Sequence, residues 1–110
     1  MVKVTILYGY PSDPGAFEER YTRHVREFID EAHIPGLVRF DASKAIPGPS
    51  AQPPFYRTAD LWFESIASLQ AARDLKKWQD GIKDLATFAD GGFQAMVCSV
   101  DTKELTSTGS

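Results

Sequence analysis

The sequence predicts a small α+β domain with the order β-α-β-β-α-β, a four-stranded antiparallel sheet carrying helices on one face. Three observations lead there. Val2, Val4 and Ile6 alternate with Lys3 and Thr5, the two-residue period of a strand. Phe17, Tyr21, His24, Val25, Phe28 and Ala32 recur at three- and four-residue spacing, which makes one stripe of a helix. Two later runs, residues 55–63 and 93–100, are apolar or aromatic and bounded by Pro, Gly and Asp.

Taken in order, the first strand is expected over residues 2–8. Gly9, Pro11, Asp13, Pro14 and Gly15 form a turn-rich connector. A helix follows from Ala16, with Glu18, Glu19, Arg23, Arg26, Glu27 and Asp30 on its wet side, and Pro35-Gly36 stops it. Residues 37–46 suit a second strand, and the Pro-, Gly- and Ser-rich residues 47–54 a loop. The third strand, 55–63, is apolar or aromatic on both faces, so both faces need cover. Ser65 is placed to cap a helix whose inner positions are Ile66, Leu69, Ala72 and Leu75. A second helical stretch turns Trp78, Ile82 and Leu85 inward, weakened by Gly81. Asp90-Gly91-Gly92 turns the chain into the last strand. Residues 1–101 form the domain, and 102–110 a polar tail whose end, Thr106 to Ser110, is expected to be disordered.

This order is the ferredoxin-like unit. Helices on one face leave the other bare, and apolar residues on both faces of 55–63 and 93–100 would make that bare face a large exposed patch. Two sheets paired face to face remove it, so a homodimer is expected.

Composition excludes several function classes. With 110 residues there is room for one domain. The net charge is −3, and Lys and Arg are scattered among acids without a basic stripe, which argues against nucleic acid and anionic membrane as partners. No apolar run approaches the roughly 20 residues of a membrane span, and no cleavable signal is visible. The one cysteine, Cys98, has no internal disulfide partner. A cytoplasmic location is the expectation.

His24 is the sharpest candidate for chemistry. It lies on the apolar stripe, one turn from both Tyr21 and Phe28, and imidazole gives or takes a proton near neutral pH. The plainer alternative is a core histidine bonded to a backbone carbonyl. Tyr8, Tyr21 and Tyr56 offer phenols that can donate to a carbonyl oxygen, or are packed rings with their hydroxyls at the surface. Asp60 and Trp62 share one face of the third strand, with Arg57, Ala59, Leu61 and Phe63 on the other. Asp60 needs a partner, for which Arg39 and Arg57 are at hand, or else acts as a base. Trp62, Phe63 and Phe28 are pocket wall or core. Cys98, in apolar surroundings, reads as inert. His24 and His33 point in different directions along their helix, which gives no metal spacing, and His33 suits the helix C-terminus. No glycine-rich phosphate loop follows a strand, so no nicotinamide or other cofactor is expected.

Four stretches stand in a familiar order: MVKVTILYGYP at the front, IPGLVRF in the middle, PPFYRTADLWFES over residues 53–65 and DLATFADGG near the end. Together they resemble the EthD family, first named from a gene cluster for ethyl tert-butyl ether degradation, over about residues 1–101. The resemblance implies a dimeric α+β barrel and a role in catabolism of small molecules. It also implies a functional histidine on the first helix, within a threonine–histidine–x–proline pattern. His24, in TRHVREF, matches that histidine, while Arg23 and Arg26 stand where threonine and proline are usual. Family members are often labelled reductases.

The resulting expectation is a cofactor-free acid–base enzyme that isomerises, cyclises or dehydrates a small, mostly apolar oxygenated compound. His24 and Tyr21 are its catalytic candidates, and Tyr8, Phe28, Asp60, Trp62 and Phe63 its substrate-binding ones. The alternatives are a non-catalytic binder or auxiliary protein of a degradation pathway, and a purely structural dimer with a filled core. The state of the space around His24 separates them.

Overall fold

The computed structural model describes residues 1–105. Its elements run β1 (Val2–Tyr8), α1 (Pro14–Phe28), β2 (Leu37–Lys44), β3 (Arg57–Phe63), α2 (Ile66–Arg73), α3 (Lys76–Phe88) and β4 (Phe93–Ser99). The strands form one sheet of order β2-β3-β1-β4, antiparallel throughout, which is the expected ferredoxin-like α+β unit. Residues 101–105 are exposed and without regular structure, and Thr106 to Ser110 lie outside the described residues. Among the described residues no helix is long and apolar enough to cross a membrane.

Local chemistry sets the helix starts. The Asp13 carboxylate accepts the Ala16 N–H at 3.1 Å, and Pro14 opens α1 where a missing N–H costs nothing. Ser65 and Ser68 close a reciprocal capping box at the start of α2. The end of α1 corrects the sequence expectation. The helix stops at Phe28, well before Pro35, and Asp30 caps a separate turn: its side chain takes the His33 N–H at 2.7 Å, and its carbonyl takes the Ile34 N–H at 2.8 Å within that turn. Ala32 is therefore exposed in a turn instead of lying on the helical stripe. Ile66 and Leu75 are also exposed: Ile66 sits in the capped first turn of α2, and Leu75 at the break between α2 and α3.

The helix-covered face of the sheet carries Val2, Val4, Ile6 and Tyr8 of β1 with Ala59, Leu61 and Phe63 of β3. Its core has two clusters. One gathers Tyr8, Phe17, Tyr21, Tyr56, Leu85 and Phe88; the other gathers Val2, Val4, Ile34, Leu61, Phe63 and Leu69. Ile6 and Phe40 pack against both and mark the seam between them.

The helix-free face differs from expectation. Leu7, Trp62, Met96 and Cys98 lie there among Lys3, Thr5, Arg39, Asp41, Thr58, Asp60 and Gln94, so the face is mixed and no continuous apolar sheet is exposed. The alternating positions of β1 and β3 are more polar on this side than the aromatic content of the strands suggests.

Candidate functional site

His24 reaches the seam from α1. Its ring is 7 % exposed, tilted against Phe28 at 5.3 Å and Phe88 at 5.6 Å. Nδ1 lies 2.8 Å from Oδ2 of Asp84 on α3, and Nε2 makes no hydrogen bond among the described residues. Asp84 is held in turn: Nη2 of Arg20 stands 3.4 Å from its other oxygen and donates to Thr87 Oγ1 at 3.0 Å. With the carboxylate accepting from Nδ1–H, the lone pair of the neutral ring falls on Nε2, the arrangement of an oriented general base.

Two small cavities touch His24. One, of about 40 Å³, is lined by Phe28, Trp78, Gly81, Ile82 and Leu85 beside His24 itself. The other, of about 20 Å³, is lined by Tyr8, Tyr21, Phe40 and Ala59 together with His24. Ile6, Ile29 and Leu61 border both, which places the histidine between two halves of one seam. Each cavity holds a water-sized guest; ligand sites have roughly 300–1,000 Å³. A substrate enters only if the seam opens, and Phe28 and Trp78 on the larger half are incompletely buried.

The Tyr21 hydroxyl is buried and has no hydrogen-bond partner among the described residues. Burial pushes its phenol up to about 12, against the pull of the Arg57 guanidinium 4.7 Å from its ring. Tyr8 packs edge-on to Phe17 and Tyr21, and burial followed by the neighbouring Tyr21 phenol pushes it up as well. Both are neutral donors at any physiological pH. Below them, Arg57 forms a forked pair with Glu18, Nη2 to Oε1 at 2.6 Å and Nε to Oε2 at 3.2 Å, and the Tyr56 hydroxyl donates to the same carboxylate at 3.0 Å. Burial alone would raise Glu18, but the hydrogen bonds from Arg57 and Tyr56 bring it below the usual carboxylate range.

The sheet divides the remaining residues expected at the site. His24, Tyr21, Tyr8 and Phe28 come together at the seam. Phe63 is on the same face but wholly buried in the second cluster, as core. Asp60 and Trp62 lie on the opposite face. There Asp60 accepts from Thr5 Oγ1 at 2.5 Å and pairs with Lys3 at 3.4 Å. Trp62 Nε1 donates to Asp41 at 3.0 Å, with Lys3 and Arg39 over its ring. The partner of Asp60 is thus Lys3 in place of Arg39 or Arg57. The residues that sequence reasoning missed are Asp84 and Arg20. The one available signal was the spacing of Gly81, Asp84 and Phe88, which puts the carboxylate on the α3 stripe facing α1. Among the described residues no group of three or more His, Cys, Asp or Glu side chains is arranged to hold a metal ion.

No protein-family model matches the chain. An uncharacterized 11.0 kDa protein from the thcB-thcC intergenic region of Rhodococcus erythropolis is 34% identical over 102 residues, 93% of this chain and 97% of its own length. Among solved structures, an EthD-family protein from Bacillus halodurans superimposes with a TM-score of 0.77 at 27% identity, covering 92% of this chain and 99% of its own. A dimeric ferredoxin-like protein of unknown function from Thermobifida fusca follows at TM-score 0.67 and 13% identity, with 90% of each chain covered. SnoaB, a cofactor-independent oxygenase from Streptomyces nogalater, gives 0.63 at 14% identity over 93% of both chains. These last two share the fold alone. The Rhodococcus relative spans nearly the whole chain, the Bacillus structure repeats its architecture end to end, and on that footing the chain belongs to the EthD family.

Proposed function

We propose that this EthD-family chain is a cofactor-free acid–base enzyme that isomerises, cyclises or dehydrates a small, mostly apolar oxygenated compound. The carrying observation is the 2.8 Å contact of His24 Nδ1 with Asp84, which leaves Nε2 as an unpartnered base at an apolar seam. In this reading Nε2 removes a proton from a carbon next to a carbonyl. The unpartnered Tyr21 hydroxyl, on the shared cavity, donates to the oxygen that gains charge. Asp84 holds the ring and offsets the imidazolium that forms, and Arg20 holds Asp84. Tyr8 and Phe28 shape the wall. The same fold supports chemistry without a cofactor in the Streptomyces oxygenase, which makes the reading economical. A homodimer through the helix-free faces belongs to it, in line with dimeric structural neighbours.

The test needs no knowledge of the natural product. The protein is incubated in heavy water with a panel of small cyclic ketones and diketones, and deuterium wash-in next to the carbonyl is followed by proton NMR. Enzyme-dependent exchange that falls about a hundredfold in His24→Asn is the expected result. Exchange that is absent, or equal in the variant, sinks the reading in favour of a non-catalytic binding or auxiliary role.

A further inference from the structure

We infer that the compound taken at the His24 seam carries a carboxylate, and that Lys77 is the residue that selects it. The inference rests on the seam being the substrate site, and it adds one charge to the mostly apolar oxygenated compound proposed above. The larger seam cavity has ionisable side chains at two places only. One is the His24 imidazole, and the other is Lys77. Lys77 and Asp84, which holds His24, stand two turns apart on one stripe of α3, about 10 Å along its axis. Phe28, Trp78, Gly81 and Ile82 make the lining between them apolar. A base at one end of an apolar slot and a cation at the other suit a keto acid. Its carbonyl and acidic C–H meet Nε2, and its carboxylate meets the ammonium. The mouth opens between α1 and α3, on the side of the sheet away from its helix-free face, so pairing of two helix-free faces leaves it uncovered.

The Lys77 ammonium is available for this role. It makes no ion pair among the described residues, because the acids near it are engaged: Asp80 pairs with Lys76 at 3.0 Å, and Asp30 takes the His33 N–H and ring. Lys77 Nζ donates instead to the Ala32 carbonyl at 2.9 Å, the one hydrogen bond among the described residues that joins α3 to the turn after α1. An ammonium bonds a carboxylate more strongly than a neutral carbonyl, since both partners are then charged. Ala32 is exposed, so water takes over its carbonyl when the ammonium leaves. Exchange of carbonyl for carboxylate therefore releases the bond across the mouth as the substrate arrives. Opening of a water-sized cavity is thereby coupled to the guest that bears the charge. One compact ammonium, with no second permanent cation lining the cavity, matches a single negative charge.

The experiment uses cyclohexanone bearing a propanoate side chain next to the carbonyl, and its methyl ester, which keeps the ketone but not the charge. Binding to the isotopically labelled protein is followed in amide correlation spectra, separately from deuterium wash-in. The acid should bind about tenfold more tightly than the ester, the scale of one charge-assisted hydrogen bond, with saturable shifts at Ala32 and Gly81. In Lys77→Met the preference should vanish, and in Lys77→Arg it should persist. The same spectra report whether each variant is folded. His24→Asn should keep the binding preference while wash-in falls about a hundredfold. Preferential binding of the acid without wash-in in the wild-type protein would defeat the acid–base reading and leave the assignment of Lys77 standing. Equal affinities for acid and ester in the wild type, a preference that survives in Lys77→Met, or no saturable binding of the acid at millimolar concentration would overturn the assignment.

Discussion

On the helix-covered side of the sheet, His24 and Tyr21 sit among Ile6, Ile29 and Leu61, and only His24 has a carboxylate in reach. On the other side Lys3, Thr5, Asp60, Asp41 and Arg39 bond to one another around Trp62. The difference separates two uses of polar groups. The second network is nearly self-satisfied, so it holds the sheet surface in place and has little left to offer a ligand. The first leaves the Tyr21 phenol buried and unpaired, with the unbonded Nε2 of His24 nearby, in an apolar setting where an unmet hydrogen bond costs most and a suitable guest gains most. Unsatisfied polarity, and not polarity itself, distinguishes the two faces.

The widest test of that contrast compares His24→Asn with Asp60→Asn. Deuterium wash-in should fall about a hundredfold in the first and by less than about threefold in the second. A large loss in Asp60→Asn alone would move the active face to the other side of the sheet.

Next in size is the ion pair that closes the helix-covered face. Glu18→Ala leaves the largely buried Arg57 without its carboxylate and should destabilise by about 2 kcal/mol in urea denaturation. The pH dependence carries a definite sign. Glu18 has its folded pKa below the ordinary carboxylate value of about 4.3, so its contribution is present above that pH and is lost as pH falls through the lowered folded value. The gap between wild type and variant should therefore shrink below about pH 4. A gap that widens on acidification would show that the Arg57–Glu18 pair is not what stabilises this face.

Tyr21→Phe sharpens the comparison further. Removing an unpartnered buried hydroxyl should leave stability unchanged or raise it by up to about 1 kcal/mol, while wash-in falls about tenfold. A loss of stability would mean that the hydroxyl has a partner that the apolar setting conceals. The smallest expected effect is at Gly81, in the interior of α3 against the Phe28 ring. A Cβ there would meet Phe28 at an ordinary 3.8 Å, so Gly81→Ala should raise the melting temperature by the equivalent of up to about 1 kcal/mol. If opening of the seam between Phe28 and Trp78 limits substrate entry, the same variant should also slow wash-in.

Much of the fold was legible because its signals are local. The alternation of Val2, Val4 and Ile6 gave β1, Ser65 gave the start of α2, and the order of strand and helix signals gave the topology, which the EthD-like stretches also implied. The end of α1 was misplaced by the apolar Ala32 and by Pro35, which look like a continuing stripe and a terminator. The helix ends earlier, and the bond of the Asp30 side chain to the His33 N–H, in a separate turn, is invisible to periodicity. The site was half legible. His24 and Tyr21 stand on a stripe that sequence shows, whereas Asp84 lies 60 residues from its histidine, and only packing of α1 on α3 joins them. The two-residue period already set Asp60 and Trp62 on the strand face opposite Phe63, and the pleat puts them there; which of the two faces the helices cover was not legible from the strand alone.

The position of β1 in the sheet has a consequence for how the chain reaches this structure. The domain's first strand lies between β3 and β4, pairing Val2 with Phe63 on one side and with Ser99 on the other. Its bonds to β3 thus wait for residues 57–63 and those to β4 for almost the whole domain to leave the ribosome, and α1 waits likewise for α3. The β2–β3 pair can close early across residues 45–56, but loops of the greater length must close before β1 is paired on either edge, so completion of the sheet is expected to be a late event set by contacts distant in sequence. Until then Val2, Val4 and Ile6 remain an unpaired apolar segment of the nascent chain, in need of shelter from its neighbours.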